Sequence, residues 1–290
     1  MTYLERLSRR IRQVGTVLCL GLDPTFDGLP SGFTRDLAGL ERFAQLVLEA
    51  AMPHAAAVKP NLAFFEAHGS AGMAVLERLR ARIPAEVPVI ADAKRGDIGT
   101  TAERQAIALF DVLGADAVTV NPYLGAEAIR PLLERDDRFA YLLCRTSNPG
   151  AGEVQDLVLA ADPDRAAPQE LLHERMARLA VGWDRGGTLG LVVGATARDE
   201  LAAIRAIAPG LAFLVPGVGA QGGDVDVVLA NGSATSLPGS RATAGGLLVN
   251  VSRGIAAAAV AGDSRDSRTD PGERLAAAAA GWAARLPVLP

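Results

Sequence analysis

The sequence predicts an α/β fold, a single-domain (β/α)8 (TIM) barrel in which a helix follows each parallel strand. Short apolar segments of strand length recur eight times along the 290 residues, separated by polar or glycine-containing turns and helix-like stretches. These segments are apolar without alternation, which is typical of parallel strands covered on both faces. The chain is 49% hydrophobic, enough to bury a large core. A doubly wound open sheet is the alternative.

The predicted strands follow one another at intervals that suit a strand, a helix and two loops. Their carboxyl ends are 36, 33, 29, 23, 50, 22 and 35 residues apart. Apolar residues at three- and four-residue steps predict helices over 37–50, 71–82 and 101–113. The strands are predicted at 16–22, 55–59, 87–92, 116–120, 139–144, 189–193, 212–216 and 247–251.

The 50-residue interval marks an insertion after the fifth strand, at about 150–185. It opens with a glycine-rich turn, and a helix is expected over 171–182, so it forms a long loop over the barrel mouth or on its flank. An irregular stretch is expected over 230–240, and the alanine-rich end predicts a closing helix at about 272–285. All 290 residues are expected to form one catalytic domain.

Charge and cysteine content exclude several classes of function. Lys and Arg number 29 against 33 Asp and Glu, so no bulk basicity directs the chain to nucleic acid or to an anionic membrane. Cys19 and Cys144 stand apart in apolar runs and are expected in the core of a protein from a reducing compartment. The sequence has neither a signal peptide nor a membrane span, which predicts a cytoplasmic location. The run 6–10 is expected to be a solvated helix face.

The densest group of charged residues follows the third predicted strand. Asp92, Lys94 and Asp97 lie within six residues of one another. Because side chains alternate in an extended chain, Asp92 and Lys94 are expected to point the same way, with Asp97 in the following turn. A carboxylate and an ammonium in one pocket can hold fixed charges for a reaction. A surface ion pair at a strand end would also explain the pair.

Polar or glycine-rich segments follow most of the other strands as well. In a (β/α)8 barrel these strand ends share one rim, where active sites form. Asp23, Lys59 and Asn121 end the first, second and fourth strands, and polar loops follow the fifth, seventh and eighth at 146–150, 217–223 and 252–254. Charges scattered over the surface would not sort to one rim, but polar residues that merely terminate strands remain the alternative.

The loops after the last two strands predict a phosphate site. Gly217, Gly219 and Gly222 would let backbone N–H groups approach an anion, and the amino terminus of the following helix would add a favourable dipole. Gln221 can donate from its amide, and Arg253 can grip phosphate oxygens with its guanidinium group. The glycine run by itself would also fit a simple turn.

Together these motifs resemble the orotidine 5′-phosphate decarboxylase family. Asp-x-Lys-x-x-Asp-Ile after the third strand, Lys59 after the second and Pro-Gly-Val-Gly-Ala-Gln-Gly at 216–222 stand in the family's order, over about residues 16–255. The segments 59–61 and 64–66 and the long insertion are similar to the longer bacterial branch. The resemblance implies conversion of orotidine 5′-monophosphate to UMP and CO2 in de novo pyrimidine synthesis, without metal or organic cofactor.

The resemblance also implies roles for the residues at the motif positions. Lys94 would donate a proton to C6 of the pyrimidine, Asp92 would lie against the substrate carboxylate, and Lys59 would complete the charge network and contact the ribose. Asp97 would cross the interface of a homodimer into the partner's site, with Thr101 beside it. The other substrate contacts would be Asp23 with a ribose hydroxyl, Asn61, Ser147 with the pyrimidine, and Gln221 and Arg253 with the phosphate.

Three other functions stay open. A related phosphosugar barrel, such as hexulose-phosphate synthase or keto-gulonate-phosphate decarboxylase, has a similar aspartate–lysine motif but needs Mg²⁺. Lys59 puts a positive charge where a metal ligand would be expected. A Schiff-base aldolase would need Lys59 or Lys94 as a neutral amine, which the paired acids disfavour. A phosphate-binding barrel without catalysis would show no turnover.

Overall fold

Parallel strands form the centre of the molecule. The structure is a computed structural model that describes residues 1–161, 168–219, 222–235, 243–260 and 270–289. The strands of the main sheet are, in chain order, β1 (Leu18–Leu22), β2 (Ala57–Pro60), β3 (Ile90–Arg95), β4 (Ala117–Val120), β5 (Phe139–Arg145), β6 (Leu189–Val193), β7 (Ala212–Pro216) and β8 (Leu248–Val251).

The sheet closes into a barrel. Its eight strands are parallel and pair in the order β2-β1-β8-β7-β6-β5-β4-β3. The two end strands meet through parallel bridges from Val58 to Val89 and from Asn61 to Asp92. The predicted (β/α)8 fold is therefore confirmed, and the open sheet is excluded. Each observed strand lies within three residues of its predicted bounds.

Helices follow the strands and pack against their outer faces. The predicted helices over 37–50, 71–82 and 101–113 correspond to α2, α4 and α5, and a π-helical segment (Ile107–Val112) extends α5. No helix in the described ranges is long and apolar enough to cross a membrane. The helices are α1 (Tyr3–Val14), α2 (Leu37–Ala51), α3 (Ala63–Glu66), α4 (Gly69–Ala81), α5 (Gly99–Ala106), α6 (Ala126–Leu133), α7 (Gly152–Gln155), α8 (Leu172–Trp183), α9 (Arg198–Ile207), α10 (Val225–Gly232), α11 (Arg253–Ala256) and α12 (Pro271–Arg285).

The insertion after β5 contains α7, α8 and a short antiparallel ribbon of Val158–Leu159 and Glu170–Leu171. Arg145, the last residue of β5, joins the insertion through a salt bridge of 3.1 Å from its Nε to Asp156 Oδ1. The insertion is thus attached at the carboxyl-end rim. Residues 162–167 of the insertion and 236–240 of the expected irregular stretch lie outside the described residues, and the first residues of that stretch belong instead to α10.

Apolar side chains cover both faces of the strands. The outer layer packs against the helices, and the inner layer fills the barrel. Because side chains alternate, the positions two residues further along the inner face are Lys59, Asp92, Thr119 and Asn250. The barrel interior therefore changes from apolar to polar within one layer towards the carboxyl-end rim. The apolar inner residues of the strands are Cys19, Ala57, Ile90, Ala117, Phe139, Tyr141, Val192, Ala212, Leu214 and Leu248.

Helix α1 closes the amino-terminal end of the barrel. The ring of Tyr3 stacks on Phe139 with centroids 4.8 Å apart, and its hydroxyl lies 3.1 Å from that of Tyr141. Leu7 and Ile11 are completely buried in the same inner core. The helix begins at a capping box of Thr2 and Glu5 and ends at a left-handed glycine, so its local sequence fixes both of its ends.

The expectation that the run 6–10 is a solvated face is wrong. Leu7, Ser8 and Arg10 are buried, and the guanidinium of Arg10 donates to the backbone oxygens of Ala55 and Met52 at 3.1 and 2.9 Å. A helix that lies across a barrel end buries a whole side, and long arginine side chains can bury their stems while their polar heads find partners. A prediction from the charged residues alone therefore assigned a buried side of α1 to solvent.

We expect the closing role of α1 to be measurable as stability. Leu7→Ala removes a completely buried side chain and should lower the free energy of unfolding by about 2–5 kcal/mol. Arg9→Ala, on the exposed side of the same helix, is the matched control and should change it by no more than about 0.5 kcal/mol. Urea unfolding measures both variants. Equal losses for the two would contradict the burial pattern.

Candidate active site

A carboxylate that joins two lysines lies at the carboxyl-end rim of the barrel. Asp92 Oδ2 is 2.5 Å from Lys59 Nζ, and Asp92 Oδ1 is 2.5 Å from Lys94 Nζ. The Lys59 side chain is 6% exposed, Asp92 12% and Lys94 48%. The strands β2 and β3 thus supply a buried ion pair, and Lys94 extends it to the open mouth. We call Lys59, Asp92 and Lys94 the charge network.

Neighbouring charges keep the buried members ionised. Burial of the Asp92 carboxyl favours its neutral form, but Lys59 and Lys94 outweigh this effect and hold the pKa of Asp92 well below its usual value. Burial by itself lowers the pKa of Lys59, but the carboxylates of Asp92 and Asp23 raise it above its ordinary value. Asp92 and Lys59 are therefore both charged at neutral pH.

The backbone that carries Lys94 leaves the regular strand. The pairing of β3 with β4 shifts between Ala91 and Arg95, which marks a bulge. Among the non-glycine residues that the structure describes, Lys94 alone has a positive φ, of 48°. The structure does bring Asp92 and Lys94 together, as alternation predicts, but it uses a bulge and a left-handed residue to do so. Such a backbone needs support from its surroundings.

Asp97 and Thr101 lie outside the charge network of their own chain. The Asp97 carboxylate accepts a hydrogen bond from Ile98 N at 2.8 Å, and in the described ranges it forms no salt bridge. Thr101 is exposed on α5, and Ile98 beside them is a 58% exposed apolar side chain. The two polar residues therefore lie on an accessible surface next to the barrel mouth.

Three predicted substrate-binding residues lie near the ends of β1, β2 and β5. Asp23 directly follows β1, and its buried Oδ1 has no hydrogen-bond partner among the residues that the structure describes. Asn61 follows β2, and its Oδ1 accepts from Ala63 N at 3.3 Å. Ser147 is partly buried in the loop after β5, where the first residue after β6, Gly194, approaches so closely that a Cβ there would be 2.8 Å from Ser147 Cβ. All three stand on the rim.

Two of the three glycines predicted for the phosphate loop after β7 have a positive φ. Gly217 and Gly222 have φ of 104° and 76°, which other residues rarely adopt, whereas Gly219 does not need such a φ. Gln221 lies outside the described residues. The amino terminus of the following helix α10 is capped by its own Asp224, whose carboxylate accepts from Asp226 N and Val227 N. These N–H groups are therefore not available to a phosphate.

Arg253 and Asp23 share one cavity. Arg253 is the exposed first residue of α11, separated from β8 only by Ser252. A cavity of about 270 Å³ lies between the loop after β1, helix α2 and the α11 turn, and both charged residues line it. Its other walls are apolar and include Phe43, Val47 and Ala256. Residues near the carboxyl ends of β1 and β8 thus line the same cavity.

Two inward polar residues were missed by the sequence analysis. The Thr119 hydroxyl donates to Asp92 Oδ1 at 2.9 Å, and it accepts from Ala93 N and Lys94 N at 3.0 and 2.9 Å. Asn250 on β8 has a buried Oδ1 that finds no hydrogen-bond partner in the described part of the chain. Each is a single polar residue inside an otherwise apolar strand. Because strands of this barrel are buried on both faces, that pattern is the signal that would have found them.

The barrel and its charge network define an enzyme of the (β/α)8 class with fixed charges at the carboxyl-end rim. Residues 16–263 match the family described as "Orotidine 5'-phosphate decarboxylase / HUMPS family". The chain belongs to the orotidine 5′-phosphate decarboxylase family and is a carboxy-lyase, so the resemblance drawn from the motifs is confirmed.

Individual relatives agree with this assignment. The chain is 49% identical over 216 residues to an orotidine 5′-phosphate decarboxylase from Herpetosiphon aurantiacus, covering 74% of this chain and 78% of the relative. It is 45% identical over 258 residues to the enzyme of that name from Thermomicrobium roseum, covering 88% and 86%. The solved structure of Leishmania donovani OMP decarboxylase superposes with a TM-score of 0.78 at 36% identity, covering 98% of this chain and 97% of that one.

We expect loss of one member of the buried pair to cost more stability than loss of both. Lys59→Met leaves the Asp92 carboxylate without its buried partner and should lower the free energy of unfolding by about 3–5 kcal/mol. In Lys59→Met/Asp92→Leu the buried charges are replaced by apolar groups, and most of that loss should be recovered. Urea unfolding at neutral pH measures both. A double variant as unstable as the single one would contradict the charge argument.

Proposed function

We propose that this chain converts orotidine 5′-monophosphate to UMP and CO2 without metal or organic cofactor, with Lys94 as the proton donor. The observation that carries the proposal is the Lys94 ammonium, half-exposed at the barrel mouth and held 2.5 Å from a buried carboxylate. Family membership supports the substrate and the reaction. The charge network supplies a chemical reason for the roles of its residues.

The chemistry fits the charges. When the bond from C6 to the carboxylate breaks, its electron pair stays on C6, and the proton of the Lys94 ammonium neutralises that carbon. Asp92 is ionised and buried, so it cannot rotate away or take up a proton at neutral pH. A substrate carboxylate placed against it would be repelled until CO2 leaves. Lys59 binds the carboxylate oxygen of Asp92 that Lys94 leaves free and would contact the ribose.

The charge of the network supports a shared site in a homodimer. Within one chain the network has two lysines and one aspartate, and Asp97 accepts from its own neighbour Ile98 instead of joining them. Asp97 of a partner subunit, carried by the exposed segment with Ile98 and Thr101, would balance the excess positive charge. We therefore propose that Asp97 crosses a dimer interface into the partner's site, with Thr101 beside it.

The remaining proposed substrate contacts come from other residues at the carboxyl-end rim. Within the described ranges, the buried Oδ1 of Asp23 has no hydrogen-bond partner, and a ribose hydroxyl would supply one. Ser147 would bind the pyrimidine, and Arg253 would bind the phosphate together with the glycine loop. We assign Asn61, Gln221, Gly217, Gly219 and Gly222 to substrate binding on the strength of their motif positions.

The Mg²⁺-dependent phosphosugar barrels are the second candidate. A metal of this kind takes carboxylate oxygens as ligands. Both oxygens of Asp92 are already engaged by lysine nitrogens, and Lys59 adds a positive charge that would repel a cation. The described residues hold no cluster of three or more His, Cys, Asp or Glu side chains suited to a metal ion. The donor set therefore favours charge catalysis by the lysines.

We also propose that the whole chain acts as one catalytic domain in the cytoplasm. Its two ends are tied together, because Thr16 Oγ1 donates to Leu286 O at 2.7 Å. Cys19 and Cys144 are free, buried thiols, as expected in a reducing compartment.

The activity is tested by the ultraviolet absorbance change of orotidine 5′-monophosphate, with and without EDTA. We expect rapid conversion to UMP that EDTA does not slow, and a rate at least about 10²-fold lower in Lys94→Ala, because the proton donor is gone. Arg9→Ala, far from the rim on α1, serves as the control and should retain the wild-type rate. A folded wild-type protein that does not convert orotidine 5′-monophosphate would contradict the proposed decarboxylase function. Phosphosugars with Mg²⁺ would then be tested as substrates.

The shared site is tested by mixing two inactive variants. A mixture of the Lys94→Ala and Asp97→Ala proteins should regain part of the activity once their subunits exchange. In each heterodimer, one site then contains both substitutions and the other site contains neither. At equal amounts, half of the dimers are mixed, so recovery should approach about one quarter of wild-type activity. Two differently tagged Lys94→Ala preparations control for exchange. No recovery despite demonstrated exchange would mean that one chain builds each site.

A further inference from the structure

Thr119 lies in β4, where the apolar barrel interior meets the charge network. It is 2% exposed and follows Ala117 on the inner face of the strand. A threonine hydroxyl has one proton to donate and two lone pairs that accept. Here the proton goes to Asp92 Oδ1, and the lone pairs receive the N–H groups of Ala93 and Lys94. Every hydrogen-bonding capacity of the hydroxyl is therefore used on the segment 92–94.

These contacts replace a missing piece of the sheet. The pairing of β3 with β4 resumes at Arg95, so the ladder is interrupted between Ala91 and Arg95. The hydroxyl of Thr119 takes the N–H groups that fall in this gap. It thereby supports Lys94 in its left-handed conformation (φ 48°) and, through its proton, fixes the carboxylate that binds the Lys94 ammonium.

We propose that Thr119 is a positioning residue: its hydroxyl sets the backbone of Lys94 and the orientation of Asp92, and so places the Lys94 ammonium for proton transfer. This inference rests on the proposed function for its catalytic consequence. Its structural part, the support of the left-handed Lys94 by a side-chain hydroxyl, stands on the geometry alone. Thr119 does not itself touch the substrate in this proposal.

Thr119→Val and Thr119→Ser separate the hydroxyl from the shape of the side chain. Valine keeps the shape and removes the hydroxyl, whereas serine keeps the hydroxyl. In Thr119→Val we expect kcat to fall about 10²-fold, because a small displacement of a reacting group is enough for such a loss. KM should stay within about threefold, since ribose and phosphate contacts lie on other strands. Thr119→Ser should restore most of kcat.

Thr16→Val is the matched control. Thr16 is also buried, at 1% exposure, and its hydroxyl donates to Leu286 O and accepts from Leu18 N at the opposite end of the barrel. The same substitution there removes two hydrogen bonds, against three at Thr119, and does so far from the rim. We expect it to lower the thermal midpoint, as Thr119→Val does, while leaving kcat unchanged.

Amide hydrogen exchange over residues 92–95 tests the geometry without any activity. Protection of this segment should be lost in Thr119→Val and kept in Thr119→Ser and Thr16→Val. If Thr119→Val does not fold, Thr119→Ala, which cannot clash, is measured instead. Unchanged protection and kcat in the valine variant would overturn the proposal, as would a serine variant as slow as the valine variant. If the wild-type protein does not decarboxylate orotidine 5′-monophosphate, the proposed function is wrong. The hydrogen-exchange data then still test whether Thr119 supports the backbone of Lys94.

Discussion

The burial of one carboxylate between two ammonium groups is the interaction on which the rim of this barrel depends. Asp92 sits on the inner face of β3, one layer above an apolar interior, where an isolated charge would be costly. Lys59 from β2 and Lys94 from its own strand compensate it, and their attraction outweighs the effect of burial on its pKa. The same charges that make the site stable are those that the proposed reaction uses.

The rest of the fold supports the polar layer of the barrel that contains Asp92. Helix α1 closes the amino-terminal end of the barrel with the buried side chains of Tyr3 and Leu7. Strand alternation then brings one polar residue from each of several strands to the same height. The insertion after β5 is joined to the rim through Arg145 and Asp156, and its Gln155 holds the backbone of Thr146, next to Ser147. Stability is built at one end of the barrel and chemistry at the other.

Lys94 shows how the barrel combines regular and irregular structure. A regular strand would let both Asp92 and Lys94 face inward, but with both side chains perpendicular to the sheet. The bulge and the left-handed φ of Lys94 instead bring its ammonium back onto the carboxylate, at the cost of two backbone N–H groups without strand partners. Thr119 satisfies both of them. A single side chain on the neighbouring strand thus makes the unusual backbone possible.

The sequence by itself determined the eight strands, the carboxyl-terminal helix α12, the insertion and the position of Lys59, Asp92 and Lys94 at strand ends. These features follow from apolar periodicity and strand alternation, which are local properties of the sequence. It did not determine which charged residues are buried: the arginines of α1 carry the pattern of an exposed face, and only the docking of that helix across the barrel buries Arg10. Nor did it reveal Thr119, because its function depends on a bulge in another strand 25 residues earlier. Tertiary structure decided these points, since each is a contact between segments distant in sequence.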